Sequence, residues 1–286
     1  MGPRRPNRAE ALSPSRAASG RLLISGAARL RLEAAERWIA RRRDRAPLVL
    51  APTRGAAQDF LRAAARGGRG LLTLERTTPL ALAGELAVEE LAASGSVAVT
   101  GLGLEAVAAR AVARTSDQLG YLAPVSASPG LPRALVETLQ ELRPHGVRAE
   151  RLEALGGGGG DLALLARAFE ALLEESSLAD PPALLEIACR ALEGRQERAA
   201  GSPLLLLDLS PASPLEERFL TALCHHHREP SGEAANILAV APAGDIRGIA
   251  RLERALGARA EAVEKEAGEG PLDRLRRRLF SAADAA

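Results

Sequence analysis

Lysine is almost missing from this sequence. Of the 38 basic residues, one is a lysine, Lys265, and the rest are arginines. Any chemistry that needs a lysine must therefore use Lys265 or not occur in these residues. The arginine bias reads as mutational pressure from a GC-rich genome rather than as selection for a partner. Aromatic residues are only 2% of the chain, with Trp38 and Tyr121 the single examples of their kinds. The two cysteines, Cys189 and Cys224, are too few for a disulfide framework and form no Cys-x-x-Cys pair. No apolar run approaches the roughly 18 residues of a membrane span, and no apolar stretch of the secretory kind stands near residue 1. The cytoplasm is the expected location, and no contact with a membrane is expected. A formal net charge of +2 gives no global electrostatic footprint for nucleic acid.

What is present is ordinary for a folded chain of 286 residues, with 47% apolar and 26% charged residues. Residues 1–20 carry four arginines, three prolines and no apolar periodicity, and are expected to form a disordered leader. From Arg21 the pattern alternates. Short apolar runs at 21–25, 48–53 and 71–74 are separated by helical spacings at 29–44 and 54–66, and a further helix starts at Thr78-Pro79. Strand–helix alternation of this kind implies a parallel sheet. From 86 to 202 the strands stop, and helices are expected at 103–119, 129–143, 161–175 and 181–195. Ser128 caps the second, Asp161 the third, and the fourth starts at Asp180-Pro181. Gly156–Gly160 reads as a flexible linker between them. After 203 the alternation resumes. A strand at 204–209 leads to Ser213-Pro214-Leu215-Glu216, the pattern of a capping box, and another strand lies at 236–242. The expected fold is α/β, with a parallel P-loop-like sheet built from 21–85 and 203–260. An all-helical subdomain at 86–202 interrupts it, and a C-terminal linker or helix follows at 261–286.

Four places carry residues of the kind that support chemistry. The turn Ser25-Gly26-Ala27-Ala28 follows a strand and opens a helix, which is the setting of a phosphate-binding loop. That motif needs a second glycine, a lysine and a hydroxyl at fixed spacing; counted from Gly26, those positions hold Arg31, Leu32 and Glu33. ATP hydrolysis is not expected. Asp208 ends the strand at 204–209 where a motor enzyme places a magnesium-binding acid, but no glutamate follows it. Thr53 and Arg54, with Thr73, Thr77 and Thr78, end strands at the edge of a parallel sheet where ligands bind; they fit either contacts to backbone phosphates or solvated turns. His225-His226-His227 cannot converge on one metal, because consecutive helical side chains diverge, and reads as a frayed helix end. No catalytic residue, metal site or cofactor is expected. The adjacent pairs Glu89-Glu90, Glu174-Glu175 and Glu216-Glu217 face apart and read as solvated faces.

Taken together, several of these stretches resemble one family. Leu22-Leu23-Ile24-Ser25-Gly26-Ala27-Ala28 and Leu48-Val49-Leu50-Ala51-Pro52-Thr53-Arg54-Gly55-Ala56-Ala57 resemble the opening of the AddB-type subunit of bacterial AddAB helicase–nucleases, which is shared with proteins of the PD-(D/E)XK nuclease family. Leu119-Gly120-Tyr121-Leu122-Ala123-Pro124-Val125, Pro129-Gly130-Leu131 and Thr138-Leu139-Gln140-Glu141-Leu142-Arg143 are similar to the helical insert of that family. The resemblance implies a superfamily 1 helicase domain 1A-like sheet with an inserted 1B, a degenerate nucleotide loop at Ser25–Ala28, and Asp208 at the Walker B position. It also implies a role in double-strand-break repair, with single-stranded DNA or a duplex end and a helicase–nuclease subunit as partners. Under it, Thr53, Arg54 and Thr73 are the expected DNA contacts. The family's nuclease motif, Asp/Glu-x-Lys, is not formed at Lys265, which has Val263 two residues before it. The chain is accordingly expected to be the N-terminal part of a longer protein. The alternative is an α/β scaffold that binds a partner helicase subunit without binding DNA.

Overall fold

The computed structural model describes residues 20–65, 74–194, 202–228 and 236–263. Its centre is a six-stranded sheet in which every pairing is parallel. In chain order the strands are β1 (Gly20–Ser25), β2 (Leu48–Leu50), β3 (Glu75–Thr77), β6 (Leu204–Leu207), β7 (Ile237–Pro242) and β8 (Ala260–Ala262). Two further short strands, β4 (Val97–Ala98) and β5 (Leu178–Ala179), form a separate parallel pair. Across the main sheet the order is β3-β2-β6-β7-β1-β8.

Residue type explains why the four inner strands form. In β6, Leu204 and Leu206 pack on one face while Leu205 and Leu207 pack on the other, and all four are buried. A leucine run that would be too apolar for a half-exposed strand suits one covered on both faces. Helices α1 (Ala28–Ala40) and α2 (Arg54–Ala65) cover one face through Ala35, Trp38, Ile39, Ala57 and Phe60. Helices α3 (Pro79–Ser94), α8 (Pro181–Gly194), α9 (Pro214–His226) and α10 (Ile246–Leu256) cover the other through Ala83, Leu185, Phe219, Leu223 and Leu252.

Between α3 and α8 the chain leaves the sheet and builds a second core. Helices α4 (Leu102–Thr115), α5 (Leu131–Leu142) and α7 (Gly158–Glu175), with the short α6 (Ala149–Glu153), bury Leu104, Val107, Leu135, Leu139, Leu165 and Phe169. This excursion contains the β4–β5 pair, so it is not all-helical. The expected boundary at residue 86 falls inside α3, and α8 buries Leu185, Ala188, Cys189 and Leu192 in the sheet's own core.

Several local expectations are corrected. A strand is found at Glu75–Thr77, just past the expected 71–74; of that stretch Leu74 precedes the strand, and Leu71–Thr73 lie outside the described residues. It is an edge strand with two exposed residues of three, so it lacks the apolar run that marks an inner strand. Helix α5 begins at Leu131 with Gly130 in the cap position, so Ser128 does not cap it. The five glycines are not a linker. Gly156 and Gly157 turn at φ +66° and +49°, and Gly158–Gly160 form the first turn of α7. Asp161 therefore sits inside α7, where its carboxylate accepts hydrogen bonds from the N–H of Gly120 (3.2 and 3.0 Å) and of Leu122 (2.7 Å). Among the described residues no helix is long and apolar enough to cross a membrane. The leader, Lys265 and the C-terminal segment from 264 lie outside the described residues.

Candidate functional site

In a parallel sheet all strands end at the same edge, and that edge collects the loops that can hold a ligand. Here it gathers the turn after β1, Thr53 and Arg54 after β2, Asp208 after β6, and Asp245 after β7. The sheet order sets their spacing. Asp208 leaves β6, which lies between β2 and β7, and β7 lies beside β1. Helix α1 starts beyond the β1 turn and packs on β7 and β6, which brings its first turns over the end of β6.

The result is a closed pair. The Arg31 guanidinium donates to both oxygens of Asp208, Nε to Oδ1 at 2.7 Å and Nη2 to Oδ2 at 3.0 Å. Its Nη1 donates to the carbonyl of Ser25 at 2.6 Å. Arg31 is 7% exposed, whereas the Asp208 side chain keeps 29% of its surface. A bidentate guanidinium–carboxylate pair is the strongest form of this contact because two parallel bonds share one geometry. Asp208 adopts φ +49°, a left-handed conformation that aspartate tolerates better than most residues. Its own N–H remains in the sheet, donating to the Val240 carbonyl at 2.9 Å.

This geometry does not fit a bound nucleotide with magnesium. The metal position needs a free carboxylate, and both oxygens of Asp208 are taken by Arg31. The hydroxyl position holds Glu33, whose carboxylate accepts from Arg29 at 2.5 Å. The lysine position holds Leu32. The turn itself is held locally, with the Ser25 hydroxyl accepting from the Ala27 N–H at 3.2 Å. Gly26 is exposed, and a Cβ there would meet nothing within 4 Å, so the turn is not a crowded cradle.

The remaining expected residues separate. Thr53 caps α2: its hydroxyl accepts from the Ala56 N–H at 3.1 Å and its carbonyl from the Ala57 N–H at 3.2 Å. Arg54 is exposed and lines an open cleft of about 580 Å3 at the outer edge of the sheet, together with Gln58, Glu75, Arg76, Thr77, Leu82 and Glu85. Thr73 lies outside the described residues. Thr78 caps α3, accepting from the Ala81 N–H at 3.3 Å with Pro79 at the first helical position. Ser213 caps α9 as its pattern implies, accepting from the Glu216 N–H at 3.2 Å, and Glu216 reaches back to the Ala212 N–H at 2.6 Å. Beside the strand ends, Ser210 hydrogen-bonds Asp245, which caps α10 by accepting from the Gly248 N–H at 2.9 Å.

The histidine run is corrected. His227 is not frayed: it is 5% exposed, and its Nδ1 lies 2.9 Å from the Ser202 carbonyl. Burial pushes its pKa below the ordinary value. Burial pushes the thiols the other way, Cys189 to about 11 and Cys224 to about 12, so neither is poised as a nucleophile. Glu90 and Glu175 are exposed partners of Arg190 and Arg114 at 2.6 and 2.8 Å, whereas Glu217, bonded to Arg254 at 2.6 Å, is mostly covered and is not a solvated face. Among the described residues no group of three His, Cys, Asp or Glu side chains could hold a metal ion.

Sequence reasoning placed Asp208 at a strand end but treated Arg31 only as a departure from a motif. A usable signal was present, because Arg31 falls on the same helical stripe as Ala35, Trp38 and Ile39, the buried face of α1. A charged residue on a buried face needs a partner, and Asp208 was the acid without a role. A scan against protein-family models returns no match, and no curated protein matches the chain.

Proposed function

We propose that this chain is a nucleotide-independent, helicase-like scaffold module of a DNA double-strand-break repair helicase–nuclease subunit, working in the cytoplasm without a cofactor or catalytic activity of its own. The observation that carries the proposal is the Arg31–Asp208 pair. In a parallel α/β sheet with this strand-end geometry, an internal guanidinium occupies the carboxylate that a motor would use for magnesium. The resemblance to AddB-type subunits supplies the process, and Thr53, Arg54 and Thr73 supply the DNA contacts. Of these, Arg54 is exposed and free of any hydrogen bond or ion pair among the described residues. A guanidinium in that state suits a phosphate.

Two titrations test this reading. Calorimetry with ATP and magnesium is expected to be flat, and heat of binding at micromolar nucleotide would sink the closed-site half. A labelled dT oligomer is expected to bind and to weaken with salt, and Arg54→Ala is expected to reduce the slope of log affinity against log salt by about one. Binding that ignores salt, or a slope unchanged in Arg54→Ala, would overturn the DNA half. The second reading, a scaffold that binds a partner polypeptide, is favoured by the outer cleft, where Glu75 and Glu85 offset the arginines.

A further inference from the structure

The outer edge of the sheet carries a site of a different kind. Among the described residues, strand β3 is paired on one side only, with β2. Its register fixes which backbone groups are spent. The Glu75 N–H donates to the Pro47 carbonyl at 3.2 Å, and the Thr77 carbonyl accepts from the Ala51 N–H at 3.2 Å. In a parallel ladder, alternate residues turn both backbone groups to the same side. Glu75 and Thr77 therefore face β2, and the N–H and C=O of Arg76 face outward, with no hydrogen bond among the described residues.

Around this free pair the charges are segregated. Arg76 is in register with Val49, which packs under α1 and α2, and the α2 flank of the cleft adds Arg54 and Gln58. Glu75 and Thr77 are in register with Leu48 and Leu50, which pack under α3, and the α3 flank adds Glu85. Arg54, Arg76, Glu75 and Glu85 are all exposed, and none has an ion pair among the described residues. Elsewhere most exposed glutamates near an arginine are paired with it, as at Glu90, Glu153, Glu175 and Glu193.

We propose that the edge of β3 is a docking site for an extended segment of a partner protein, which adds a strand beside Arg76. Main-chain bonds to Arg76 give such a strand affinity, and alternate side chains give it specificity. Successive residues of the incoming strand point to opposite faces. The residue opposite Arg76 meets the basic flank and is acidic; its two neighbours meet the flank of Glu75 and Glu85 and are basic. The same charges exclude a second copy of this chain, because an antiparallel self-pairing centred on Arg76 sets arginine against arginine. On the α3 flank, Glu75 and Glu85 repel a polyanion, so a phosphate backbone is left the α2 flank at Arg54 and not the edge of β3. The site is independent of the DNA reading, because it depends on the main chain of Arg76 and not on Arg54 alone.

The test uses the full chain and two fluorescein-labelled nonapeptides with threonine–valine flanks, one centred on Arg-Glu-Arg and one on Glu-Arg-Glu, read by anisotropy. The first is expected to bind, and the second to bind about tenfold more weakly or worse. Arg76→Pro removes the outward N–H at a position where an edge strand tolerates proline, and is expected to abolish binding while circular dichroism is unchanged. Arg76→Ala keeps that N–H and is expected to retain part of the affinity. Equal binding of the two peptides, no binding of either at millimolar concentration, or wild-type affinity in a folded Arg76→Pro would overturn the proposal. So would a dimer, or a dT complex, that Arg76→Pro alone dissolves.

Discussion

The sheet and the helical excursion each hold a carboxylate that ties distant segments together, and the two are used differently. Asp208 ends β6 and meets a guanidinium that is almost wholly buried. Asp161 lies in the first turns of α7 and meets only backbone, the N–H groups of Gly120 and Leu122. One ties a helix to a strand across 177 residues of sequence; the other ties a loop to a helix across about 40. In the sheet, the acid neutralises a charge that could not otherwise be buried. In the excursion, it satisfies backbone donors that a tight loop cannot satisfy by itself. The difference predicts how each region fails.

The largest loss is expected from Asp208→Ala. It leaves the buried Arg31 charge with no carboxylate and only the Ser25 carbonyl as a partner, which costs about 3 kcal/mol. Arg31→Met should cost about half as much, because the abandoned Asp208 retains some contact with water. Asp161→Ala is expected to cost about 2 kcal/mol, from two unsatisfied N–H groups in a half-buried loop. The asparagine variants sharpen the contrast. Asp161→Asn keeps one acceptor oxygen and should recover part of the loss, whereas Asp208→Asn turns an amide N–H2 toward a guanidinium and should recover little. Denaturant midpoints at neutral pH measure all five. Equal rescue by asparagine at both positions would erase the distinction between a charge partner and a backbone acceptor.

How far these roles were legible in sequence follows the same physics. The inner strands were readable because Leu204–Leu207 and Ile237–Ala241 are buried on both faces and must be apolar throughout. Strands β3, β4, β5 and β8 were not, because an edge or two-residue strand has no continuous apolar run to announce it. Caps with a hydroxyl next to proline, at Thr78-Pro79 and Ser213-Pro214, were readable because the interaction is local. Asp161 resembled a cap for the same local reason and was misplaced, because its donors come from another segment. Asp208 was located correctly at the strand end, but its partner was hidden. Pairing across 177 residues leaves no mark in spacing, and only the position of Arg31 on a buried helical stripe pointed to it.

Acid should separate the two regions as well. His227 joins the end of α9 to the segment that leads into β6 through the Ser202 carbonyl. Its pKa is depressed in the fold by burial, so the unfolded chain binds the proton more readily. Its contribution to stability is therefore complete above the ordinary histidine value of 6.5 and is lost as pH falls below it toward the folded value. The slope from this group cannot exceed about 1.4 kcal/mol per pH unit. Among the described residues the excursion holds no buried histidine, His145 being exposed. Hydrogen exchange between pH 7 and pH 5 should loosen α9 and β6 before α4, α5 and α7, and His227→Gln should flatten the difference. Loosening of α7 first would show that another group controls acid stability.

The smallest effects should come from neighbouring glycines at the start of α7, where the sign is expected to reverse over one residue. A Cβ on Gly160 would meet nothing within 4 Å, and its φ is not left-handed. Gly160→Ala should stabilise by about 0.5 kcal/mol, because alanine restricts the unfolded chain without straining the folded one. A Cβ on Gly159 would stand 2.5 Å from the Leu152 carbonyl oxygen and 2.8 Å from the Leu155 Cβ. The carbonyl belongs to the backbone of α6 and cannot step aside as a flexible side chain would, so Gly159→Ala should destabilise by about 1 kcal/mol. Gly158 stands between these cases, because its obstacle is the exposed Tyr121 ring at 3.0 Å, which can swing away. A flexible linker would give the same small change at all three positions. Opposite signs at Gly159 and Gly160 in thermal melts would show that these glycines are selected for close packing of α6 against α7, in a region where the sequence alone suggests only looseness.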